Sequence, residues 1–464
     1  MTRIQIKSLR IFAGATCGLW ALSLPVVGQE EPGDQILSFG ISQKFEANDN
    51  IRLDPKSVGT TYSSDTKLSF GFNNQTRAQI LDFTMDGVLR LVDDPVIGTD
   101  HGFRDPNLAL FYSRDSANSR LTFNVDYERP DLAFLDPLTQ ENINDQDLYS
   151  GGGTREEYNV GVRLETGLHA PLGFTFDLRS NERHYSDTTD PLLFANRTNT
   201  AAMATLFRLS AVTQARLDLS HEDYTGKNAT RTNRTTDSFT LGLDHEFSAI
   251  STLSANIGHS EVIETFETLP GVENVTRGPV GSVELTRLMP NGSASAALDT
   301  TLSSVGRQTT LEFGRFIELP AGSLAFSFGA TQGAGFSVLP VGSIDYTADL
   351  PTGSLNASLS RDVNISSTLS RAETTTRVDL GYQYDVNDIS SLSFDLYYAD
   401  ISLTGASGAG RERGSFYATY THDITQEWDF TAGYERRYFR SAASGSANSN
   451  LLFVTVQRDF DMFR

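Results

Sequence analysis

Cysteine is almost absent from this sequence, since Cys17 is the only one among 464 residues. It lies in an amino-terminal segment that we expect to be removed, so the mature chain can form neither a disulfide nor a thiol nucleophile. Basic residues are also scarce, with 37 Lys and Arg against 58 Asp and Glu and a formal net charge of −21. Because nucleic-acid phosphates attract Lys and Arg, this acidic chain is not expected to bind nucleic acid.

Long apolar runs are absent after the first 28 residues. The one long run, Ile11–Val27, follows three basic residues, and Val26 and Gly28 are small enough for the −3 and −1 positions of a cleavage site. This pattern predicts a cleaved signal peptide over residues 1–28. A retained membrane anchor is the alternative, but the run is short for a helix of ~20 residues. If the mature chain crosses a membrane, it must therefore do so with strands.

Apolar residues make up only 39% of the chain, below the ~45–50% of typical globular domains. What the chain has instead is strict alternation of apolar and polar residues, as in the segments 172–179, 238–246 and 392–396. A period of two places the two sets on opposite faces of a β-strand. A soluble β-sandwich gives the same local pattern, so the spacing of the strands must decide between the two architectures.

Short and long connections alternate along the chain. Ten short connections are rich in turn residues: Asn73–Ala78, Asp115–Ser119, Leu168–Gly173, Ala211–Gln214, Ser248–Thr252, Leu288–Ser293, Leu319–Ser323, Leu350–Ser354, Val386–Ser390 and Ile424–Glu427. Between them lie eleven longer polar stretches, including Val92–Asn107 and Arg129–Arg155. Tight periplasmic turns that alternate with longer external loops are typical of outer-membrane barrels.

The fold class predicted from this rhythm is all-β: a transmembrane antiparallel up-and-down β-barrel of about 22 strands with both termini in the periplasm. The range is 18–22, because the alternation breaks in Val280–Arg287, Thr310–Arg315 and Val341–Leu350. Residues 29–464 are predicted to form this barrel as a single domain without a plug. The expected location is the outer membrane of a Gram-negative bacterium.

Alternate positions of the predicted strands carry charges of both signs, which fit a watery interior, because Arg or Lys facing lipid costs ~2–4 kcal/mol at mid-depth. The residues predicted to face the lumen are Asp82, Asp86, Arg90, Asp126, Arg163, Glu165, Asp177, Arg179, Arg216, Asp218, Asp244, Asp379 and Asp395. Aromatic residues near strand ends predict an interfacial girdle, which comprises Tyr127, Tyr384, Tyr398, Trp428 and Tyr434. In the last strand, Val456 and Phe460 resemble the signal read by the outer-membrane assembly machinery, although Arg464 rather than an aromatic residue ends the chain.

Residues with catalytic or metal-binding chemistry form no recognisable pattern. The seven histidines are scattered without the spacing of a metal site, and no Ser, His and acid combination is singled out. We therefore predict no enzyme activity and no cofactor. Two oxygen-rich clusters, in the segments 46–54 and 141–147, could hold Ca²⁺, but solvated loops are the preferred interpretation because EF-hand spacing is missing.

The segment Phe45–Leu53, with its Asn-Asp-Asn-Ile-Arg run, resembles the outer-membrane barrel proteins of the beta-barrel porin-2 type found with exopolysaccharide systems. The match covers about ten residues. It implies an outer-membrane barrel linked to polysaccharide passage and transfers no catalytic residue. TonB-dependent transporters also have 22 strands, but their large amino-terminal plug has no counterpart before the predicted first strand.

The function expected from these features is a porin-like passive channel for small polar solutes, including saccharides, with a modest preference for cations. The alternative is a non-conducting structural or interaction barrel that takes part in exopolysaccharide export or adhesion. Expected partners are outer-membrane lipid and lipopolysaccharide, the assembly machinery, and the polar solutes or polysaccharide. Arg129–Arg155, the longest connection, is the best candidate to fold inward as a constriction.

Overall fold

The structure, a computed structural model, describes residues 34–135, 152–188, 190, 193–366, 371–403, 410–442 and 445–461. The predicted signal peptide and the oxygen-rich cluster at 141–147 lie outside these residues. Among the described residues, no helix is both long and apolar enough to cross a membrane. A single short 3₁₀ helix is described, Leu132–Phe134.

Twenty-two antiparallel strands follow one another along the chain and pair with their sequence neighbours. They are β1 Asp34–Asn48, β2 Thr61–Gln75, β3 Gln79–Asp94, β4 Gly98–Asp115, β5 Ser119–Glu128, β6 Thr154–Thr166, β7 Leu172–Ser186, β8 Asn196–Ser210, β9 Thr213–Gly226, β10 Thr232–Ser248, β11 Ser251–Phe266, β12 Glu273–Met289, β13 Gly292–Ser303, β14 Gly306–Leu319, β15 Gly322–Gly333, β16 Phe336–Leu350, β17 Gly353–Ser366, β18 Arg371–Asn387, β19 Ser390–Leu403, β20 Arg411–Asp423, β21 Trp428–Ser441 and β22 Gly445–Asp461. β1 also pairs with β22, from Ser38 opposite Asp461 to Asn48 opposite Leu451. The sheet is therefore a closed barrel, which leaves no strand edge along its length.

The predicted count of 22 strands is confirmed. All ten predicted short connections are turns between strands, and the three segments with broken alternation lie within β12, β14 and β16. Glycine shapes some of these turns: Gly292, Gly322 and Gly353 each follow a Pro-containing turn and have φ between 129° and 144°. A Cβ atom at Gly353 would lie 2.0 Å from the carbonyl oxygen of Gln383, so only glycine fits there.

The longer connections are shorter than predicted. β4 begins at Gly98, so most of the stretch Val92–Asn107 is strand, and the connections 304–305 and 334–335 have only two residues each. The reason is visible on the outer face of β7, where Phe176 and Leu178 give way to Ser180, Glu182 and His184. Beyond the apolar band both faces of a strand meet water, so strands continue where the alternation has ended.

The two faces of the barrel wall differ in chemistry. Residues directly opposed in the register share a face, and the outer face carries large apolar side chains such as Leu241 and Phe328, which are 53% and 62% exposed. The inner face carries buried polar side chains such as Glu157, which is 1% exposed. A closed barrel with an apolar exterior is the form in which strands cross the outer membrane, so the predicted fold class and outer-membrane location are confirmed.

Candidate pore and its charged wall

The register places the thirteen residues predicted to face the lumen on the inner face of the wall. Some of them are brought together: Asp177 lies 2.5 Å from Arg179 and 3.9 Å from Arg163, and Arg163 lies 3.2 Å from Glu165. Others are far apart, since Asp82 on β3 and Asp244 on β10 belong to distant strands. The thirteen residues thus mark a surface rather than one site.

The connection between β1 and β2, residues 49–60, closes the seam between β1 and β22. The Asn48 Oδ1 atom accepts hydrogen bonds from the Asn50 N–H (2.8 Å) and the Ser449 hydroxyl (2.7 Å), and the Asn50 amide donates to the Asn448 carbonyl (2.9 Å). Leu53 then packs on Phe439 and Ala447 of the inner face. The expectation of a solvated loop is wrong for Asn48 and Asn50, because both side chains are buried and form hydrogen bonds with Ser449 and Asn448 of the facing strand.

The start of the connection between β5 and β6 folds onto the inner face, whereas most of the predicted constriction, Arg129–Arg155, lies outside the described residues. The Arg90 guanidinium on β3 lies 3.7 Å from the centre of the Phe134 ring and forms ion pairs with Asp65 (2.8 Å) and Asp105 (2.7 Å). The Asp105 carboxylate also accepts a hydrogen bond from the Asp131 N–H (2.7 Å). These contacts hold residues 129–135 against β3 and β4.

A second connection also folds over the inner face, next to residues 129–135. Leu193, in the connection between β7 and β8, packs on Leu132, and Leu135 and Tyr185 complete the cluster. Together with Leu53, these segments cover the loop end of the inner face at β21–β22, β3–β4 and β6–β7.

Inner-face cations of β1–β10 and β18–β22 are largely held in ion pairs. Such pairs include Lys44–Glu46, Lys67–Asp86, Arg155–Glu128, Arg183–Glu157, Arg216–Asp218, Arg234–Glu264, Arg377–Asp379 and Arg437–Glu435. Their charges are thus compensated within the wall, and they leave little net positive potential for a passing solute.

The seven strands β11–β17 have a different inner face. Residues 251–366 contain no Lys and five Arg, all of which the register places on the outer face: Arg277, Arg287, Arg307, Arg315 and Arg361. Seven inner-face carboxylates of these strands form no ion pair with any described residue: Glu284, Asp299, Glu312, Glu318, Asp345, Asp349 and Asp362. We call these seven residues the acidic arc.

The acidic arc lies under the shortest connections of the loop end. The two-residue connections 304–305 and 334–335 are too short to fold inward, and the inward-folding segments contact other strands. Apart from Glu312, which is half-buried, the carboxylates of the arc are exposed to water. Loop cover is therefore on one side of the described barrel and uncompensated negative charge is on the other.

The acidic arc is not among the residues that the sequence pattern predicts to face the lumen. Three of its strands, β12, β14 and β16, are those where the alternation breaks, and small residues such as Gly281, Gly342 and Ala348 take outer-face positions there in place of large apolar ones. The signal that could have found it is the alternation of charge along the strands. Once the turns fix the register, every Arg of this region falls on an outer-face position and most carboxylates fall on inner-face positions.

The predicted girdle residues lie on the outer face. Tyr384 and Trp428 are near the turn end of their strands, Tyr127 and Tyr398 are nearer the loop end, and Tyr434 lies in the middle of β21. The predicted assembly residues, Val456 and Phe460, are on the outer face of β22, with Phe460 opposite Phe39 of β1. The Arg458 guanidinium lies 4.3 Å from the Phe460 ring centre.

No family model matches this chain, and no curated protein matches it, so the resemblance to the porin-2 type stays a prediction. Solved structures do match. The barrel is similar to the ferric-catecholate import receptor Fiu from E. coli K12, with a TM-score of 0.59 and 10% identity over 93% of this chain and 82% of that one. It is also similar to the FrpB iron transporter from Neisseria meningitidis (TM-score 0.57, 9% identity, 93% and 83% covered) and to the copper transporter OprC (0.55, 11%, 93% and 82%).

Identities this low show a shared fold alone. The chain has the barrel fold of these outer-membrane transporters.

Proposed function

We propose that this barrel is a water-filled channel for small polar solutes, with a modest preference for cations. The observation that carries the proposal is the acidic arc, an exposed and uncompensated stretch of inner wall that no described loop covers. A barrel of this strand number is wide enough for water and solutes to pass beside the inward-folding segments. Carboxylates on a low-dielectric wall raise the local concentration of cations.

Solutes that fit this wall are neutral or positively charged and form several hydrogen bonds. Neutral saccharides meet that description, since the carboxylates of the arc accept hydrogen bonds from hydroxyl groups. Anionic solutes do not, because the arc repels them. Import of a ferric catecholate, which the name of the E. coli receptor gives for that protein, is therefore not what this inner wall favours.

The alternative is a non-conducting barrel that serves as a partner in polysaccharide export or adhesion. The specific observation in its favour is the inward folding of residues 49–60 and 129–135, which narrows the loop end. Purified barrel in a planar lipid bilayer separates the two functions. Stepwise increases in conductance on insertion support the channel, whereas correctly inserted barrel without any conductance supports the interaction partner.

A further inference from the structure

An apolar groove of about 670 Å³ runs along the outer face of the barrel where β1, β20, β21 and β22 meet. Its floor is made of small side chains, namely Ala47, Ala418 and Ala432, and larger side chains such as Tyr420 and Tyr434 form its walls. The register explains the groove: Ala418 lies opposite Tyr434 and Ala432 opposite Tyr420, so small and large residues alternate between neighbouring strands. In a membrane this outer surface faces lipid.

Two arginines stand above this groove on the same face of β21. Arg436 follows Tyr434 by two residues, lies between Asn450 and Phe416 in the register, and is exposed. No ion pair or hydrogen bond joins its side chain to another described residue. Arg440 is the next outer-face residue of β21 after Tyr438. Its side chain is 62% exposed and lies 3.5 Å from Glu412.

The polar end of the groove is the loop end of the barrel. The Tyr434 ring lines the groove, while its hydroxyl donates a 2.7 Å hydrogen bond to the Asn450 Oδ1 atom above it. Tyrosine with its ring in the apolar layer and its hydroxyl directed toward water marks a membrane interface. The arginines therefore lie at the height of the headgroups of the outer leaflet.

We propose that this seam binds one phosphorylated lipid of the outer leaflet, with an acyl chain in the Ala47–Ala418–Ala432 groove and a headgroup phosphate on Arg436, with Arg440 beside it. The planar guanidinium is suited to phosphate, and an exposed Arg without a protein partner keeps its donors free for one. A soluble phosphate compound would meet the arginines but leave the groove unused. The juxtaposition of groove and cation points to a membrane lipid.

The proposal is independent of whether the barrel conducts, so it can be tested on the detergent-solubilised full chain by native mass spectrometry. The delipidated barrel is titrated with bis-phosphorylated lipid A, with dephosphorylated lipid A, and with inorganic phosphate as a competitor. Two variants remove the two halves of the site: Arg436→Ala removes the phosphate donor, and Ala432→Trp fills the groove. Matched controls on the outer face of other strands are Arg361→Ala and Ala296→Trp.

The loss of one charge-assisted hydrogen-bond donor is expected to weaken lipid binding about tenfold or more. Arg436→Ala and Ala432→Trp should each show this loss for phosphorylated lipid A, while both controls bind like the wild type. Heat-modifiable migration on gels confirms folding of each variant, and Arg436→Ala remains decisive if Ala432→Trp does not fold. Equal weakening by Arg361→Ala, equal binding of the dephosphorylated lipid, or displacement of the lipid by inorganic phosphate would each overturn the proposal.

Discussion

At the scale of single residues, Arg90 fastens a loop to the inner wall. Its side chain is 6% exposed, and it combines ion pairs to Asp65 and Asp105 with stacking on Phe134. Removing one partner of a buried ion pair is costly, because the remaining charges stay in a place where water cannot solvate them.

Arg90→Ala is therefore expected to destabilise the folded barrel by about 3–5 kcal/mol and to release residues 129–135. Urea unfolding in lipid vesicles measures the stability, and single-channel recording measures the release as larger and noisier current. Arg163→Ala is the matched control, since the Arg163 side chain is 48% exposed and exposed pairs contribute about 0–1 kcal/mol. Equal destabilisation by both variants would contradict the role given to Arg90.

Asp131 precedes the 3₁₀ helix of the same loop. Its carboxyl group makes the docking of residues 129–135 on the inner wall dependent on pH. Burial raises the pKa of its carboxyl group above the ordinary value, against the lowering effects of the Ala133 N–H and Arg90. The folded state then binds a proton more readily than the unfolded state, so the docked loop gains stability as the pH falls through the raised pKa and loses it as the pH rises.

We expect amide hydrogen exchange of residues 131–135, corrected for intrinsic rates, to show greater protection at the lower pH. Asp131→Asn should remove the dependence, because the amide does not titrate in this range. Protection that increases with pH in the wild type would show that the sign is wrong.

At the scale of elements, the sequence predicted the strands well wherever an apolar band imposes a period of two. It predicted the loop-end parts of the strands poorly. Both faces of a strand meet water there, so apolar and polar residues no longer alternate, as on β4 between Gly98 and Asn107. It could not predict the contacts of the loops either. The pairing of Phe134 with Arg90 joins residues whose spacing along the chain carries no signal, and it depends on a barrel that has already closed.

The seam between β1 and β22 depends on a few buried amides. Asn50 donates to carbonyl groups on both sides, at Asn448 and Asp54. Asn50→Ala should lower the free energy of unfolding by about 1–3 kcal/mol, because two partly buried hydrogen bonds to carbonyl groups are lost. Urea unfolding provides the measurement. Asn233→Ala, whose exposed side chain is 3.4 Å from Glu267, should have a negligible effect, and an equal loss in both variants would exclude the seam as the cause.

The glycines after the Pro-containing turns should control assembly. Gly353→Ala places a Cβ atom 2.0 Å from the Gln383 carbonyl oxygen at a φ of 144°, so the hairpin must distort before β17 and β18 can pair. We expect a smaller heat-modifiable fraction and slower insertion into lipid vesicles. Gly152→Ala is the control, since a Cβ atom there meets nothing within 4 Å. Normal insertion of Gly353→Ala would show that the turn tolerates a side chain.

At the scale of the whole molecule, the inner wall is asymmetric. Most inner-face cations of β1–β10 and β18–β22 are held in ion pairs, whereas β11–β17 carry the acidic arc beneath two-residue connections. This arrangement makes the net field of the lumen negative, even though both signs of charge occur on the wall. The sequence predicted that excess from the residues it placed in the lumen, but not its position on one side.

Neutralising the arc should remove most of the cation preference. The triple variant Asp299→Asn, Glu312→Gln, Asp345→Asn neutralises three of the seven carboxylates and is expected to move the potassium-to-chloride permeability ratio toward one. Its matched control changes three outer-face carboxylates of β9–β11: Asp223→Asn, Asp237→Asn and Glu261→Gln. The control should keep the wild-type ratio, and an equal shift in both triples would mean that total charge rather than the inner wall decides selectivity.

The reversal potential of the wild-type barrel in a gradient of KCl across a planar bilayer tests the central claim most directly. An acid-lined open pore predicts a reversal potential of the sign that indicates preference for potassium. Its magnitude should be modest and should decrease in concentrated salt, because the screening length falls from ~10 Å at 0.1 M to ~3 Å at 1 M. A reversal potential of the opposite sign would mean that the acidic arc does not line the path of the ions.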